Sequence, residues 1–323
     1  MAEIAAARAR LSDRVRKTPV LVPDALADAL GMPVALKCEQ FQVTGAFKAR
    51  GATNAVRSLS ASERARGVAT HSSGNHGAAL AWAAQAAGIS ATIVVPANAV
   101  ASKRAAIGRY DGKIVDCGPT QTDREAKLAE VVAETGAVVI HPYDDARVIA
   151  GQATATIELL EAKPRLERLL VPIGGGGLAA GAILGARVLG HAVNVIGVEP
   201  AGADDTCRSL VAGERIALDV VETLADGLRA QVGAATFPVL RDGLSDLVTV
   251  SDAEILSAMR WAFETAKLVI EPSAATVLAA LLTGKMPAGP KPTGAIISGG
   301  NLDFAGEAWQ AAMHVSLAHR PGA

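Results

Sequence analysis

Aromatic residues make up only 3% of this 323-residue chain, too few for the stacking platforms on which single-stranded nucleic acids rest. An excess of charge is missing too. Lys and Arg number 31 against 32 Asp and Glu, a formal net charge of −1, so nothing draws the protein to nucleic acid or to an anionic membrane. No stretch approaches the roughly 18 uninterrupted apolar residues that span a bilayer. The N-terminal MAEIAAARARLSDRVRK lacks the apolar core of a signal peptide. It is Arg-rich and amphipathic like a transit peptide, but Glu3 and Asp13 favour a surface helix. Cysteine is scarce. Cys38, Cys117 and Cys207 lie far apart without a C-x-x-C pair and read as reduced thiols of a cytoplasmic protein. The six histidines show no zinc spacing. Low-complexity linkers and repeats of about 20–50 residues are absent.

What is present is an alternation. Short β-rich runs occur at 34–39, 67–72, 91–96, 112–117, 137–142, 168–173, 194–199, 246–251 and 294–299, with alanine-rich helical segments between them. Continuous apolar strands separated by helices imply parallel sheets buried on both faces, with ligands at the strands' carboxyl ends. Ser251 with Glu254 has the capping-box pattern, Thr122-Asp123 suits a helix entry, and Gly88 and Gly136 suit helix ends. Two α/β lobes sharing a cleft are expected.

Five segments carry chemistry. In FQVTGAFKARGATNA, Lys48 sits in apolar surroundings just after a turn. It is either a surface lysine at a helix start or a partly desolvated amine able to form a Schiff base. Ser72-Ser73-Gly74-Asn75-His76-Gly77 joins a strand to a helix. It reads as a polar cap or as a carboxylate receptor at a positive helix end. LLVPIGGGGLAAG passes from strand through four glycines to a helix, a place to hold phosphate. Gly174, Gly176 and Ala179 even match the dinucleotide fingerprint G-x-G-x-x-A, and Glu199 follows Gly176 by 23 positions, near the ~20 of a ribose-binding acid. An NAD-dependent dehydrogenase is one reading of that run. In GVEPAGADD, Glu199, Asp204 and Asp205 are either dipole-favoured carboxylates or a hard-cation site completed by a carbonyl. Ser298, in AIISGGNLD, follows a buried strand and is either a turn residue or a hydroxyl aimed into the cleft. A reactive amine, a carboxylate receptor, a cradle for one phosphate and a strand-end hydroxyl together suit pyridoxal 5′-phosphate (PLP) better than NAD.

The segments TGAFKARGA, SSGNHGAALAWAA, HPYDDARVIAGQATATIE, VPIGGGGLAAG, GVEPAGADD, LADGL, EPSAA and SGGNLD resemble, in order and over nearly the whole chain, the β-family of PLP enzymes. Within that family the chain is similar to serine/threonine dehydratases and serine racemase. The S-G-N-T-G turn and G-T-G-G-T loop typical of cysteine synthases are absent. The resemblance implies a tryptophan-synthase-β-like fold, with residues 1–66 and 144–323 as a large PLP-binding domain and 67–143 as a small one. No C-terminal regulatory domain is expected. It implies that Lys48 carries the cofactor and acts as base, and that Phe47 packs beside the ring. Gly174, Gly175, Gly176 and Gly177, with Leu178, would hold the phosphate. Asn75 would meet the ring hydroxyl and Ser298 the ring nitrogen. Ser72, Asn75 and His76 would bind the substrate carboxylate, and Ser73 matches the racemases' second acid/base. Glu199, the Ala203 carbonyl and Asp205 match a site for Mg²⁺, Mn²⁺ or Ca²⁺.

The implied reaction is dehydration of L-threonine or L-serine to a 2-oxo acid and ammonia by a homodimer acting on a small β-hydroxy amino acid. Serine racemase and 3-hydroxyaspartate dehydratase are the alternatives within the fold. Ala46 and Ala153 depart from the usual serine and glycine of the family's motifs. Ala230 and Glu130 stand near positions where hydroxyaspartate-active relatives carry a polar residue and an arginine, which favours threonine or serine.

Overall fold

The structure, a computed structural model, describes residues 2–286 and 289–315. Among the described residues, ten strands form two sheets: β1 (Val20–Leu21), β2 (Val34–Cys38), β3 (Val68–His71), β4 (Ala91–Pro96), β5 (Lys113–Cys117), β6 (Val138–Val139), β7 (Arg168–Pro172), β8 (Asn194–Pro200), β9 (Leu244–Val250) and β10 (Thr293–Ile297). The six-stranded sheet has the order β1-β2-β10-β7-β8-β9 and the four-stranded sheet the order β5-β4-β3-β6. Every pairing is parallel except the two-residue edge pair β1–β2.

The apolar runs are continuous because both faces of the larger sheet are covered. Leu169 and Val171 of β7 pack into one core with Ala35, Val195 and Ile296. Their neighbour Leu170 packs into the opposite core with Leu36, Ile196, Ala295 and Ile297. The smaller sheet is sandwiched in the same way, with Val68, Ile93 and Val95 on one face and Ala69 and Val94 on the other.

The expected strand at 137–142 shrinks to Val138–Val139, because the last bond to β3 is from the Ile140 N–H to Ala69 O and the chain bends from Pro142 on. The helix entry expected at Thr122-Asp123 lies two residues earlier. Thr120 is the cap and accepts from the Asp123 N–H while the Asp123 carboxylate accepts from the Thr120 N–H. Ser251 and Glu254 form the expected capping box, and Gly88 and Gly136 close their helices in the left-handed conformation.

Candidate active site

Lys48 opens the helix Lys48–Arg57. That helix is fixed from below by Arg50, fully buried and held by two carboxylates. Glu39 accepts from Nε and Nη2 at 2.7 and 2.9 Å, and Glu158 from Nη1 and Nη2 at 2.7 and 2.8 Å. Lys37 also donates to Glu158 at 2.7 Å. With bidentate pairing on both sides, the first turn has little freedom to rotate. The Lys48 amine donates to the Pro142 carbonyl at 2.8 Å. Loss of water around the amine lowers its pKa to about 8, with the Glu271 carboxylate acting weakly the other way.

Ser298 directly follows β10. The side chain is buried, and its carbonyl accepts the Phe47 N–H at 2.9 Å. Gly300 N–H to Gly45 O, at 2.9 Å, ties the next turn to the Lys48 segment. Across the cleft, β3 ends in Ser72-Ser73-Gly74 and the helix Asn75–Ala87 begins. The first N–H groups of that helix have no intrahelical acceptors and form an anion-binding end. The close fit of the turn needs Gly77, since a Cβ there would lie 2.0 Å from the Ser72 carbonyl oxygen.

Asn75 stands at the centre. Its Nδ2 donates to both oxygens of Glu271 at 2.9 and 3.0 Å, and its Oδ1 accepts from Asn301 at 2.8 Å. Glu271 precedes the helix Pro272–Leu282, and burial raises its pKa to about 7. Sequence alone assigns no role to Glu271 or Asn301, although both lie in segments that carry the family resemblance, EPSAA and SGGNLD. His76 is buried, with Nε2 at 3.0 Å from the Ile140 carbonyl, and burial lowers its pKa to about 3. Its imidazole therefore anchors the end of the smaller sheet, and what it presents to the helix start is its backbone N–H. His71, His141 and Tyr143 form a chain of edge-on rings beside it, with centroids 5.8 and 4.6 Å apart.

The glycine run lies between β7 and the helix Gly177–Val188. Gly176 is left-handed, with φ 85°. Side chains here would strike neighbours. A Cβ on Gly175 would lie 2.3 Å from the Tyr143 ring, and one on Gly174 would lie 2.8 Å from Leu228. The bare backbone leaves the first-turn N–H groups, Leu178 included, free to face a phosphate.

Glu199, one residue before the end of β8, is fully buried and accepts the Thr206 and Cys207 N–H groups at 3.2 and 3.0 Å. It faces the first turn of the helix Asp205–Ala212, which rules out the ribose contact that its spacing from Gly176 suggested. Asp205 accepts the Val232 N–H at 2.7 Å. Burial raises Glu199 to about 8 and Asp205 to about 6. Ala203 is buried between them in sequence. Among the described residues no group of three or more His, Cys, Asp or Glu is placed to hold a metal, so a cation here would rely on the two carboxylates and a carbonyl.

The arrangement fits PLP on its own terms. The desolvated amine is linked to each part: its neighbour Phe47 bonds Ser298, its acceptor Pro142 precedes Tyr143, whose ring covers Gly175, and Glu271, whose charge acts on it, holds Asn75. Similarity to known proteins agrees. Residues 11–299 match the family model described as pyridoxal-phosphate dependent enzyme. A serine racemase of Arabidopsis thaliana is 45% identical over 93% of this chain and 92% of its own length. A beta-hydroxyaspartate dehydratase of Paracoccus denitrificans is 42% identical, covering 94% and 96%. The solved T.th. threonine deaminase superimposes with a TM-score of 0.88 at 39% identity, covering 94% of this chain and 99% of that one. The dehydrogenase reading of the glycine run is thereby set aside, and the chain belongs to the pyridoxal-phosphate dependent enzymes, in the branch that holds dehydratases and racemases.

Proposed function

We propose that the protein is an ammonia-lyase for small β-hydroxy amino acids, L-threonine and L-serine foremost, that works as a cytoplasmic homodimer. The observation that carries this reading is the Lys48 amine, desolvated, donating to the Pro142 carbonyl at 2.8 Å, and preceded by Phe47, whose N–H bonds Ser298. When bound, PLP supplies an aldehyde that takes up an amine and a ring that withdraws electrons from the substrate Cα. The protein's own groups do the rest. The N–H groups of Gly174 to Leu178 would hold the phosphate. Phe47 would pack beside the ring and Ser298 would serve its nitrogen. A neutral hydroxyl there would not enforce a protonated ring, which would limit charge delocalisation and suit elimination. Asn75, kept in one orientation by Glu271 and Asn301, would bond the ring hydroxyl.

Ser72 and the N–H groups of Asn75 and His76 receive the substrate carboxylate at the positive end of their helix. Lys48, once free, takes the Cα proton; with a pKa near 8 it is partly uncharged at neutral pH. The proton taken from Cα balances departure of the β-hydroxyl as water, and hydrolysis then gives a 2-oxo acid and ammonia. Glu199, the Ala203 carbonyl and Asp205 are the proposed seat of Mg²⁺, Mn²⁺ or Ca²⁺, because a cation would relieve the cost of burying two carboxylates.

Ala230, apolar near the position where hydroxyaspartate-active relatives carry a polar residue, supports threonine or serine over a dicarboxylate. Racemisation is the second reading, favoured by Ser73, which matches the racemases' second acid/base, and by the likeness to the Arabidopsis thaliana relative. Chiral analysis of L-serine reactions separates the two. Pyruvate without D-serine supports the lyase, and D-serine as the main product refutes it. EDTA is expected to lower the thermal midpoint and Mg²⁺ to restore it.

A further inference from the structure

The segment from Val232 to Thr236 touches two of the features described above and locks them together. At one end the Val232 N–H donates to Asp205 Oδ2 at 2.7 Å. One residue on, the Gly233 N–H is shared between Gly175 O at 3.3 Å and Thr236 Oγ1 at 2.9 Å. The Thr236 hydroxyl, having accepted from Gly233, donates its proton to Gly175 O at 2.8 Å. Thr236 is fully buried, and its Oγ1 lies only 2.9 Å from where a Cβ on Gly176 would be. The path leaves no slack that rotation of a side chain could absorb. Asp144 clamps the same segment from the cleft side, accepting the Ala234 and Ala235 N–H groups at 3.0 and 2.7 Å.

We propose that Thr236 is a positioning residue that couples divalent-cation binding at Glu199 and Asp205 to the grip of the Gly174–Gly177 run on the cofactor phosphate. This rests on the function proposed above. Asp205 has two demands on it, the Val232 N–H and the cation, and a change in one shifts the other. The displacement reaches Gly175 because residue 233 is bonded to it directly and again through the Thr236 hydroxyl. Coupling of this kind is reciprocal, so the cation tightens PLP by the factor by which PLP tightens the cation.

The test is an equilibrium titration of cofactor-free protein with PLP, with and without saturating Mg²⁺, in the wild type, Thr236→Val and Thr236→Ser. Mg²⁺ binding to each cofactor-free protein is measured separately by calorimetry. The wild type is expected to bind PLP about 5-fold or more tightly with Mg²⁺ present. In Thr236→Val, which keeps the shape and loses the hydroxyl, that factor should fall close to one while Mg²⁺ affinity alone stays within roughly threefold of wild type. Thr236→Ser should regain the coupling. A Val variant with the wild-type coupling factor overturns the proposal, as does equal loss of coupling in Val and Ser, which marks a packing role. A wild type that binds no Mg²⁺ removes the cation site itself, and one that binds no PLP removes the function proposed above.

Discussion

At the scale of single residues, the chemistry depends on keeping one amine short of water and one amide facing one way. Lys48→Ala is expected to abolish the absorption band at about 410–420 nm that a PLP–lysine linkage gives and to cut turnover on the order of 10³-fold or more. Absorption spectra and 2-oxo acid release check both. Glu271 makes a prediction about stability. Burial raises its pKa from the usual 4.5 to about 7, so between these values the folded chain binds more protons than the unfolded one. The stabilisation it contributes is therefore complete below about pH 4.5 and is lost as pH rises through about 7. In Glu271→Gln, thermal unfolding of the cofactor-free protein should lose that part of its pH dependence. The same change forces a donor against the Asn75 amide, at a cost of about 1–3 kcal/mol. Lys48 and Asn75 were legible in sequence because each sits in a local motif. Glu271 also sits in a motif, EPSAA, but its role was not legible, since its purpose comes from Asn75, 196 positions away. His76 shows the converse: its motif was visible, but burial of the imidazole against Ile140 was not.

At the scale of elements, two devices hold the site. One is the bare backbone of the glycine run beneath Tyr143. Gly175→Ala would place a methyl group 2.3 Å from that ring and is expected to weaken PLP binding by about tenfold or more. Adding Tyr143→Ala should recover part of that loss, and a double-mutant cycle on PLP affinity measures how much. The other is the ion-paired anchor under the Lys48 helix. Arg50→Ala leaves the Glu39 carboxylate buried and unpaired, so denaturant unfolding should show a loss of about 3–5 kcal/mol. Most strands could be read from the chain because parallel strands covered on both faces are apolar without interruption, as Leu169, Leu170 and Val171 show. The edge pair of β1 with β2 escaped notice because two residues carry no period. The short β6 was overestimated because the apolar run continues past the point where pairing stops.

At the scale of the whole molecule, side-chain bonds between segments far apart in sequence join the two sheets. Asn75 reaches Glu271, Ser102 Oγ donates to Asp303 Oδ2 at 3.1 Å, and Lys103 pairs with Asp226. Each joins a segment following a strand of the smaller sheet to one bordering the larger. The last two are exposed and add little stability. The alternation of strand and helix made this two-sheet plan legible, but the bonds across the cleft arise from side chains far apart in sequence and were not. The most direct measurement is 2-oxo acid release by the PLP-loaded protein from L-threonine, L-serine, D-serine and both diastereomers of 3-hydroxyaspartate, with Lys48→Ala as the control. The expected result is 2-oxobutanoate from L-threonine and pyruvate from L-serine, faster than from the others and absent in the variant. Preference for 3-hydroxyaspartate, or release that survives Lys48→Ala, would contradict it.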